Sequence, residues 1–307
     1  MAKLLLERGY RVVGTSRDAA VAPLGNLSKL GIRERVALRS VALTDFRSTI
    51  RVLLDVEPDE IYNLAGQTSV SLSFEQPAEA LESIAVGTLN LLEAVRMLKR
   101  PVRFYNASSS ECFGDTAGPA NESTPFTPRS PYGVAKAAAF WQVSSYREAY
   151  GLYACSGILF NHESPLRPER FVTQKVIAAA CRIARGSKER LTLGDLSISR
   201  DWGWAPEYVD AMYRMLQQPT PADYVICTGE TRPLSALVAD AFAILGLDYR
   251  DHVDQDPSLF RPADLRTSMG SAAKARDELG WQAEYRMNDV VRAMVSAMQD
   301  RLDARAT

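Results

Sequence analysis

The sequence predicts an α/β protein built on a doubly wound parallel sheet. Strand-like and helix-like segments alternate through the first half of the chain, and polar, chemistry-bearing residues follow the strands, where open α/β sheets bind ligands. In addition, 307 residues of which 46% are hydrophobic suffice to bury a nucleotide-binding core and a second, smaller one.

The elements follow in order. From Ala2 to Arg8 a leucine cluster at helical spacing predicts a helix that stops at Gly9, and Arg11 to Gly14 then turns β-rich. Val36 to Val41 predicts a strand, Arg47 to Val56 a helix, Glu60 to Ala65 a strand, and Ala80 to Leu98 a long amphipathic helix. The strand Arg103 to Ala107, the helix Pro131 to Tyr150 and the strand Ala154 to Phe160 continue the alternation, which implies a sheet covered by helices. Beyond Asn161 the chain is richer in Pro, Arg and loops, with helices near Val172 to Arg185, Pro206 to Gln217, Leu234 to Leu245 and Asn288 to Arg301. We therefore expect a dinucleotide-binding, Rossmann-like domain over residues 1–160 and a mainly substrate-binding domain over 161–307, interleaved with late strands such as Tyr224 to Cys227.

Such a fold opens with a strand and a glycine-rich turn whose backbone amides meet a pyrophosphate. Here the chain begins inside the following helix. A late or truncated start is the favoured expectation over an unusual way of handling the cofactor.

The 36 basic and 37 acidic residues nearly cancel, so no global field draws in nucleic acid or a membrane, and any anion site must be built locally. Cys112, Cys155, Cys181 and Cys227 show no C-x-x-C spacing, and with only His162 and His252 no metal set is expected. They read as small buried apolar residues in a reducing compartment. No apolar run approaches the roughly 20 residues that span a bilayer, and no signal-peptide pattern opens the chain, so the expected location is cytoplasmic.

The sharpest local signal is Tyr132-Gly-Val-Ala-Lys136 at a helix start, where a spacing of four puts phenol and ammonium on one face. Alone it is weak, since a Tyr on the core beside a surface Lys is the commoner meaning. Its context is the strand ending in Ser108-Ser109-Ser110-Glu111, which places hydroxyls and a carboxylate at a carboxyl strand end. Together these residues make a proton-transfer set. An ammonium near the phenol favours the phenolate, which can accept a sugar hydroxyl proton while hydride leaves to a nicotinamide. Arg17, after the second strand, stands where an acidic residue would bind the ribose of NAD, so a guanidinium there points to the 2′-phosphate of NADP. Leu64-Ala65-Gly66-Gln67 follows a buried strand and would line the cofactor.

Phe104-Tyr-Asn-Ala-Ser-Ser-Ser-Glu111, Pro125-Phe-Thr-Pro-Arg-Ser-Pro-Tyr-Gly-Val-Ala-Lys136 and Gly157-Ile-Leu-Phe-Asn-His-Glu-Ser-Pro165 resemble the GDP-mannose 4,6-dehydratases of the extended short-chain dehydrogenase/reductase type. So do Phe171-Val-Thr-Gln-Lys175, Arg200-Asp-Trp-Gly203 and Phe260-Arg-Pro-Ala-Asp264, and the similarity runs from residue 2 to about residue 297. The resemblance implies that Tyr132 takes the O4 proton as hydride passes from C4 of GDP-mannose to NADP, with Lys136 holding the phenolate and the nicotinamide ribose. Ser109 occupies a position where the family usually has threonine. Glu111 would remove the C5 proton and protonate the departing C6 hydroxyl, the step that separates a dehydratase from a reductase or epimerase. His162 and Arg167 fall where the family contacts NADP, Asn161 and Lys175 where it contacts substrate. Arg200, Arg261 and Asp264 would meet the diphosphate and ribose of GDP, with Gly194 close to the base.

The sequence departs from the family at Ala42, commonly an aspartate that reads adenine, at Asp195, Ser199 and Asp264, and at Asp18, where a second arginine often helps join subunits. A homo-oligomer is expected, the dimer more securely than the tetramer. Two other readings stay open: a related GDP-heptose dehydratase or 4-keto-sugar reductase, and a non-catalytic nucleotide-binding protein.

Overall fold

The computed structural model describes residues 1–306. Two compact units share the chain discontinuously: Met1–Cys112, Pro128–Ile158 and Val209–Tyr224 form the first, Phe113–Thr127, Leu159–Tyr208 and the residues from Val225 onward the second.

In the first unit, α1 (Ala2–Glu7) leads to β1 (Val12–Ser16), α2 (Gly25–Lys29), β2 (Val36–Ser40), α3 (Phe46–Val56), β3 (Glu60–Asn63) and α4 (Val70–Glu75). Then come α5 (Pro77–Leu81), a π-helical turn over Glu82–Val86, α6 (Gly87–Leu98), β4 (Arg103–Ser109), α7 (Pro131–Tyr150) and β5 (Ala154–Leu159). The second unit adds β6 (Asn161–Glu163), α8 (Val172–Ala184), β7 (Leu191–Leu193) and β8 (Ser199–Trp204). α9 (Ala205–Gln217) carries the chain back into the first unit and β9 (Tyr224–Ile226) out again. β10 (Thr231–Pro233), α10 (Leu234–Ala243), β11 (Val253–Gln255), α11 (Ala273–Leu279) and α12 (Met287–Ala306) complete it.

The alternation read from sequence is present, with boundaries moved for identifiable reasons. β3 stops at Asn63 rather than Ala65 because the Asn63 side-chain oxygen accepts the Ala65 N–H at 3.3 Å and turns the chain. The helix expected from Ala80 starts at Pro77, whose fixed φ suits the first helical position. α7 has the bounds expected of it. Ser130 Oγ accepts the Gly133 N–H at 3.0 Å, Pro131 occupies the first position, and Gly151 at φ 65° ends the helix. Its buried face includes the small residues Gly133, Ala135, Ala137 and Ala139, so the helix lies close against β4.

β1 and β2 pair in parallel from Val12 with Val36 to Ser16 with Ser40. β3 and β4 pair in parallel from Glu60 with Arg103 to Asn63 with Asn106, in a sheet of order β3-β4-β5-β9. The single sheet expected from sequence is thus two. A doubly wound order places one strand between halves like these, and among the described residues none fills that place. Burial agrees, because β5 is buried at every residue whereas β1 has none fully buried. The first core joins Leu53 of α3, Leu91, Leu92 and Val95 of α6, Phe104 of β4 and Val143 of α7. In the second unit Val176 and Ile177 of α8, Phe242 of α10 and Val290 and Met294 of α12 pack with β7 around Trp202. Its strands form a mixed sheet β10-β8-β6 and a parallel pair β11-β7. Apart from β8 these strands have three residues each, too few to show alternation in sequence.

Candidate active site

β4 ends in Ser108 and Ser109, and a single tight turn over Ser110–Cys112 follows. All three serines are buried, and the half-buried Glu111 donates its backbone N–H to Ser109 Oγ at 3.3 Å. The first turn of α7 lies against this segment. Lys136, 7% exposed, donates from Nζ to the Ala107 carbonyl at 2.7 Å and stands 5.8 Å from the Tyr132 ring centroid. Ser109, Glu111, Tyr132 and Lys136 are therefore gathered in one region of the first unit, as the sequence suggested. The ammonium reaches its hydrogen bond at the strand end rather than at the phenol.

Burial sets the electrostatics. Desolvation lowers the Lys136 pKa from 10.5 to about 8, with nearby Cys112 opposing weakly. Desolvation also raises the Cys112 thiol to about 11, so it stays protonated, its Sγ 3.6 Å from Ser108 Oγ and 3.8 Å from the Gly133 carbonyl that accepts from it. The sequence reading treated Cys112 as a small buried apolar residue and missed this position between the strand end and α7. A cysteine one residue after the glutamate was the only signal.

Of the residues read as cofactor-binding, Leu64 and Ala65 are exposed just past β3, while Gly66 and Gln67 are held down. The Gln67 N–H donates to Ser83 Oγ at 3.1 Å, and Asn63 Nδ2 donates to Asn106 Oδ1 and Thr88 Oγ1, both at 3.1 Å. Gly66 has φ 112°, and a Cβ there would lie 2.7 Å from Ile84 Cγ1. Ile84 belongs to the π-helical turn and packs with Ala135, Ala139 and Tyr132, so one side chain touches both the Gly66 turn and α7. Arg17 is exposed directly after β1.

In the second unit Asn161 and His162 lie on β6, a strand that the sequence reading did not assign. His162 donates from Nδ1 to the Phe160 carbonyl at 2.8 Å and stacks on Tyr208 at 4.6 Å, and burial lowers its pKa to about 4, so it is neutral. Tyr208 carried no signal in sequence. Its hydroxyl is buried without a hydrogen-bond partner. Arg167 stands 3.0 Å from the Glu163 carboxylate, donates to the His162 carbonyl at 3.4 Å, and lies 4.1 Å over the Phe171 ring. Glu163 is buried, which raises its pKa against the opposing effect of Arg167.

Arg200, Arg261 and Asp264 are brought together, but not as three open anion ligands. Arg200 is 3% exposed and donates to Asp264 at 2.9 Å, the Leu265 carbonyl at 2.8 Å and the Ser199 carbonyl at 3.0 Å. Arg261 meets the same Asp264 oxygen at 3.2 Å and is the more accessible guanidinium. Lys175 is exposed and donates to the Thr192 carbonyl at 2.7 Å, and Gly194 passes so close to Leu259 that a Cβ would lie 3.2 Å from its carbonyl oxygen. Among the described residues no group of His, Cys, Asp and Glu is arranged to hold a metal, and no helix is long and apolar enough to cross a membrane.

The sequence profile of GDP-mannose 4,6 dehydratase matches residues 1–294. GDP-mannose 4,6 dehydratase 1 of Arabidopsis thaliana is 43% identical over 305 residues, covering 96% of this chain and 84% of the relative. The GDP-mannose 4,6-dehydratase of Sinorhizobium fredii is 41% identical over 320 residues, covering 96% and 91%. Among solved structures, RMD of Pseudomonas aeruginosa complexed with NADPH superposes with a TM-score of 0.79 at 26% identity, covering 95% of this chain and all of that one. A dTDP-glucose 4,6-dehydratase double mutant of Streptomyces venezuelae with NAD bound gives a TM-score of 0.86 at 20% identity, over 99% and 94%, a likeness of fold alone. With a family profile spanning nearly the whole chain and relatives above 40% identity, the chain belongs to the GDP-mannose 4,6-dehydratase family.

Proposed function

We propose that this protein is a hydro-lyase that converts GDP-mannose to GDP-4-keto-6-deoxymannose with NADP as resident cofactor. The observation that carries the reading is the gathering of Glu111 with Ser109, Tyr132 and Lys136 at the junction of β4 and α7, within a member of this family.

The residues present fit a nicotinamide dinucleotide. The Leu64–Gln67 turn, Arg17 and the Lys136 ammonium all follow carboxyl strand ends or lean on one, and Gly66 keeps its turn free of a side chain. Exposed Arg17 favours the 2′-phosphate of NADP, and the RMD structure with NADPH supports that choice. His162 and Arg167, which the family resemblance also gives to the cofactor, lie together in the second unit, Arg167 donating to the His162 carbonyl. Asn161, Lys175, Gly194 and Arg261 would hold the GDP-sugar, with Arg200 fixing Asp264 from beneath. A nicotinamide held there would supply the hydride acceptor for C4 and the hydride donor for C6.

The chain's own groups move the protons. Tyr132 accepts the O4 proton as C4 becomes a ketone, which acidifies the C5 hydrogen. Glu111 takes that proton and passes it to the C6 hydroxyl, which leaves as water. The proton Tyr132 took from O4 balances the one that C5 regains, so sugar minus water is the only net change. Lys136 holds a positive charge beside the phenol, and Ser109 offers its hydroxyl to O4.

Exposed Leu81 and Val86 on the α5–α6 helix and Val134 and Trp141 on the adjacent α7 support a homo-oligomer, and the cytosol is the compartment we assign. The test is incubation with GDP-mannose and NADP, followed by mass spectrometry for loss of one water and NMR for the 4-keto carbon. Glu111→Gln should lower turnover by on the order of 10²-fold or more. Absence of product from the wild type, or full-rate elimination by the Gln variant, refutes the assignment.

A further inference from the structure

The tyrosine and lysine of α7 sit within a helical turn of Gly133, and that glycine has no room for a side chain. An ideal Cβ on Gly133 would lie 2.8 Å from the Glu111 carbonyl oxygen, 3.1 Å from Pro128 Cβ and 3.3 Å from Ser130 Oγ. A contact of 2.8 Å on a backbone atom cannot be relieved by turning a side chain. The helix or the Glu111 turn must move. The clash is therefore aimed along the line that separates the two catalytic segments, with Tyr132 on one side and Glu111 on the other.

Two further links close the same seam. Lys136 Nζ donates to the Ala107 carbonyl at 2.7 Å, and the buried Cys112 thiol bridges Ser108 Oγ and the Gly133 carbonyl at 3.6 and 3.8 Å. Cys112 is thus the only side chain between Glu111 and α7 that touches both the strand end and the residue after Tyr132, among the contacts described.

We propose that Gly133 and Cys112 are positioning residues: they clamp the Glu111 turn to the first turn of α7 and so fix the spacing between the C5 base and the O4 base. The proposal rests on the dehydratase reading. C4 oxidation rests mainly on Tyr132 and Lys136, both on α7, with Ser109 of the strand end only assisting at O4, and survives a small separation of the two segments. Elimination needs Glu111 and the oxidised sugar in register, and a misplacement of about 1 Å costs on the order of 10²-fold. Opening the clamp therefore slows the second step and spares the first.

The experiment compares wild type, Gly133→Ala and Cys112→Ala with GDP-mannose, reading turnover by product release and the state of the nicotinamide by absorbance of its reduced form. In the wild type the reduced form is consumed as fast as hydride returns. Gly133→Ala is expected to lower turnover 10- to 100-fold, by order of magnitude, while reduced nicotinamide accumulates. Cys112→Ala, which only removes the bridging sulfur, should show the same accumulation with a loss of roughly threefold. Turnover that falls without accumulation in either variant overturns the clamp, since a general structural defect slows hydride transfer too, and so does unchanged turnover in both. Should Gly133→Ala fail to fold, Cys112→Ala alone decides by the same criterion. A wild type that leaves GDP-mannose untouched defeats the dehydratase reading instead, before either variant is compared.

Discussion

Replacing Lys136 by methionine should abolish catalysis and also change how stability responds to alkali. The wild-type ammonium is buried, with a pKa of about 8 in the folded protein against 10.5 when solvated. The folded state therefore binds fewer protons than the unfolded state between those values, and folding stability rises with pH across that window. At 1.36 kcal/mol per unit, the rise is about 3 kcal/mol. Below pH of about 8 the full penalty of a buried charge is present in the wild type and absent from Lys136→Met. Loss of the Nζ to Ala107 hydrogen bond adds an offset of about 1–3 kcal/mol against the variant, but that offset does not depend on pH. Urea unfolding of both proteins from pH about 7 to about 11 isolates the effect, because every other titrating group cancels in the difference. Wild type should gain on the variant by about 3 kcal/mol between pH about 8 and about 10.5. A difference that stays flat across this range would falsify the buried, discharging lysine.

Other perturbations follow from the same contacts. Arg147 pairs with Asp223 through two bonds of 3.0 and 2.7 Å, and Asp223 also accepts the Ser156 N–H at 2.7 Å, so Asp223→Ala should cost about 3 kcal/mol in denaturant unfolding. A cost below roughly 1 kcal/mol would show the pair to be solvent-screened. Asp201 is buried and its pKa rises from 3.8 to about 6 although Thr228 and Gly229 donate backbone N–H groups to it at 2.9 and 2.8 Å. Its folded value lies above its unfolded one, so stability present below pH of about 4 is lost as pH rises through about 6, by about 3 kcal/mol relative to Asp201→Asn. No pH dependence in that comparison would contradict the shift. Gly203→Ala would place a Cβ 2.4 Å from Tyr208 Cε2, behind the ring that stacks on His162, and should destabilise by about 1–3 kcal/mol, read as a lower Tm.

What was legible in the sequence had local causes. α7 could be bounded to the residue because Ser130, Pro131 and Gly151 supply cap, first position and stop within the chain itself. The juxtaposition of Ser109 and Glu111 with Tyr132 and Lys136 was legible because a strand end and a helix start each carry a short motif. The π-helical turn at Glu82–Val86 was not, since one continuous apolar pattern runs through it and only Ile84 meeting Gly66 gives it a role. Nor was the engagement of Arg200 with Asp264, because residues 64 positions apart in the chain announce nothing about each other. Asn161–Glu163 is a strand only through its partner β8, and three residues have no pattern of their own.

The way the two units share the chain bears on its synthesis. The first unit includes Met1–Cys112 but takes its last stretch, Val209–Tyr224, only after the whole of the second unit's middle stretch, Leu159–Tyr208, has been made. On the ribosome, then, most of its helix α9 and the Asp223 that anchors Arg147 arrive only after that middle stretch. Until that moment the nascent chain holds an unfinished sheet, with β5 waiting for its neighbour β9. A vectorial, domain-by-domain order of folding is closed to it, and demand for holdase chaperones during translation should exceed that of an enzyme whose domains are contiguous.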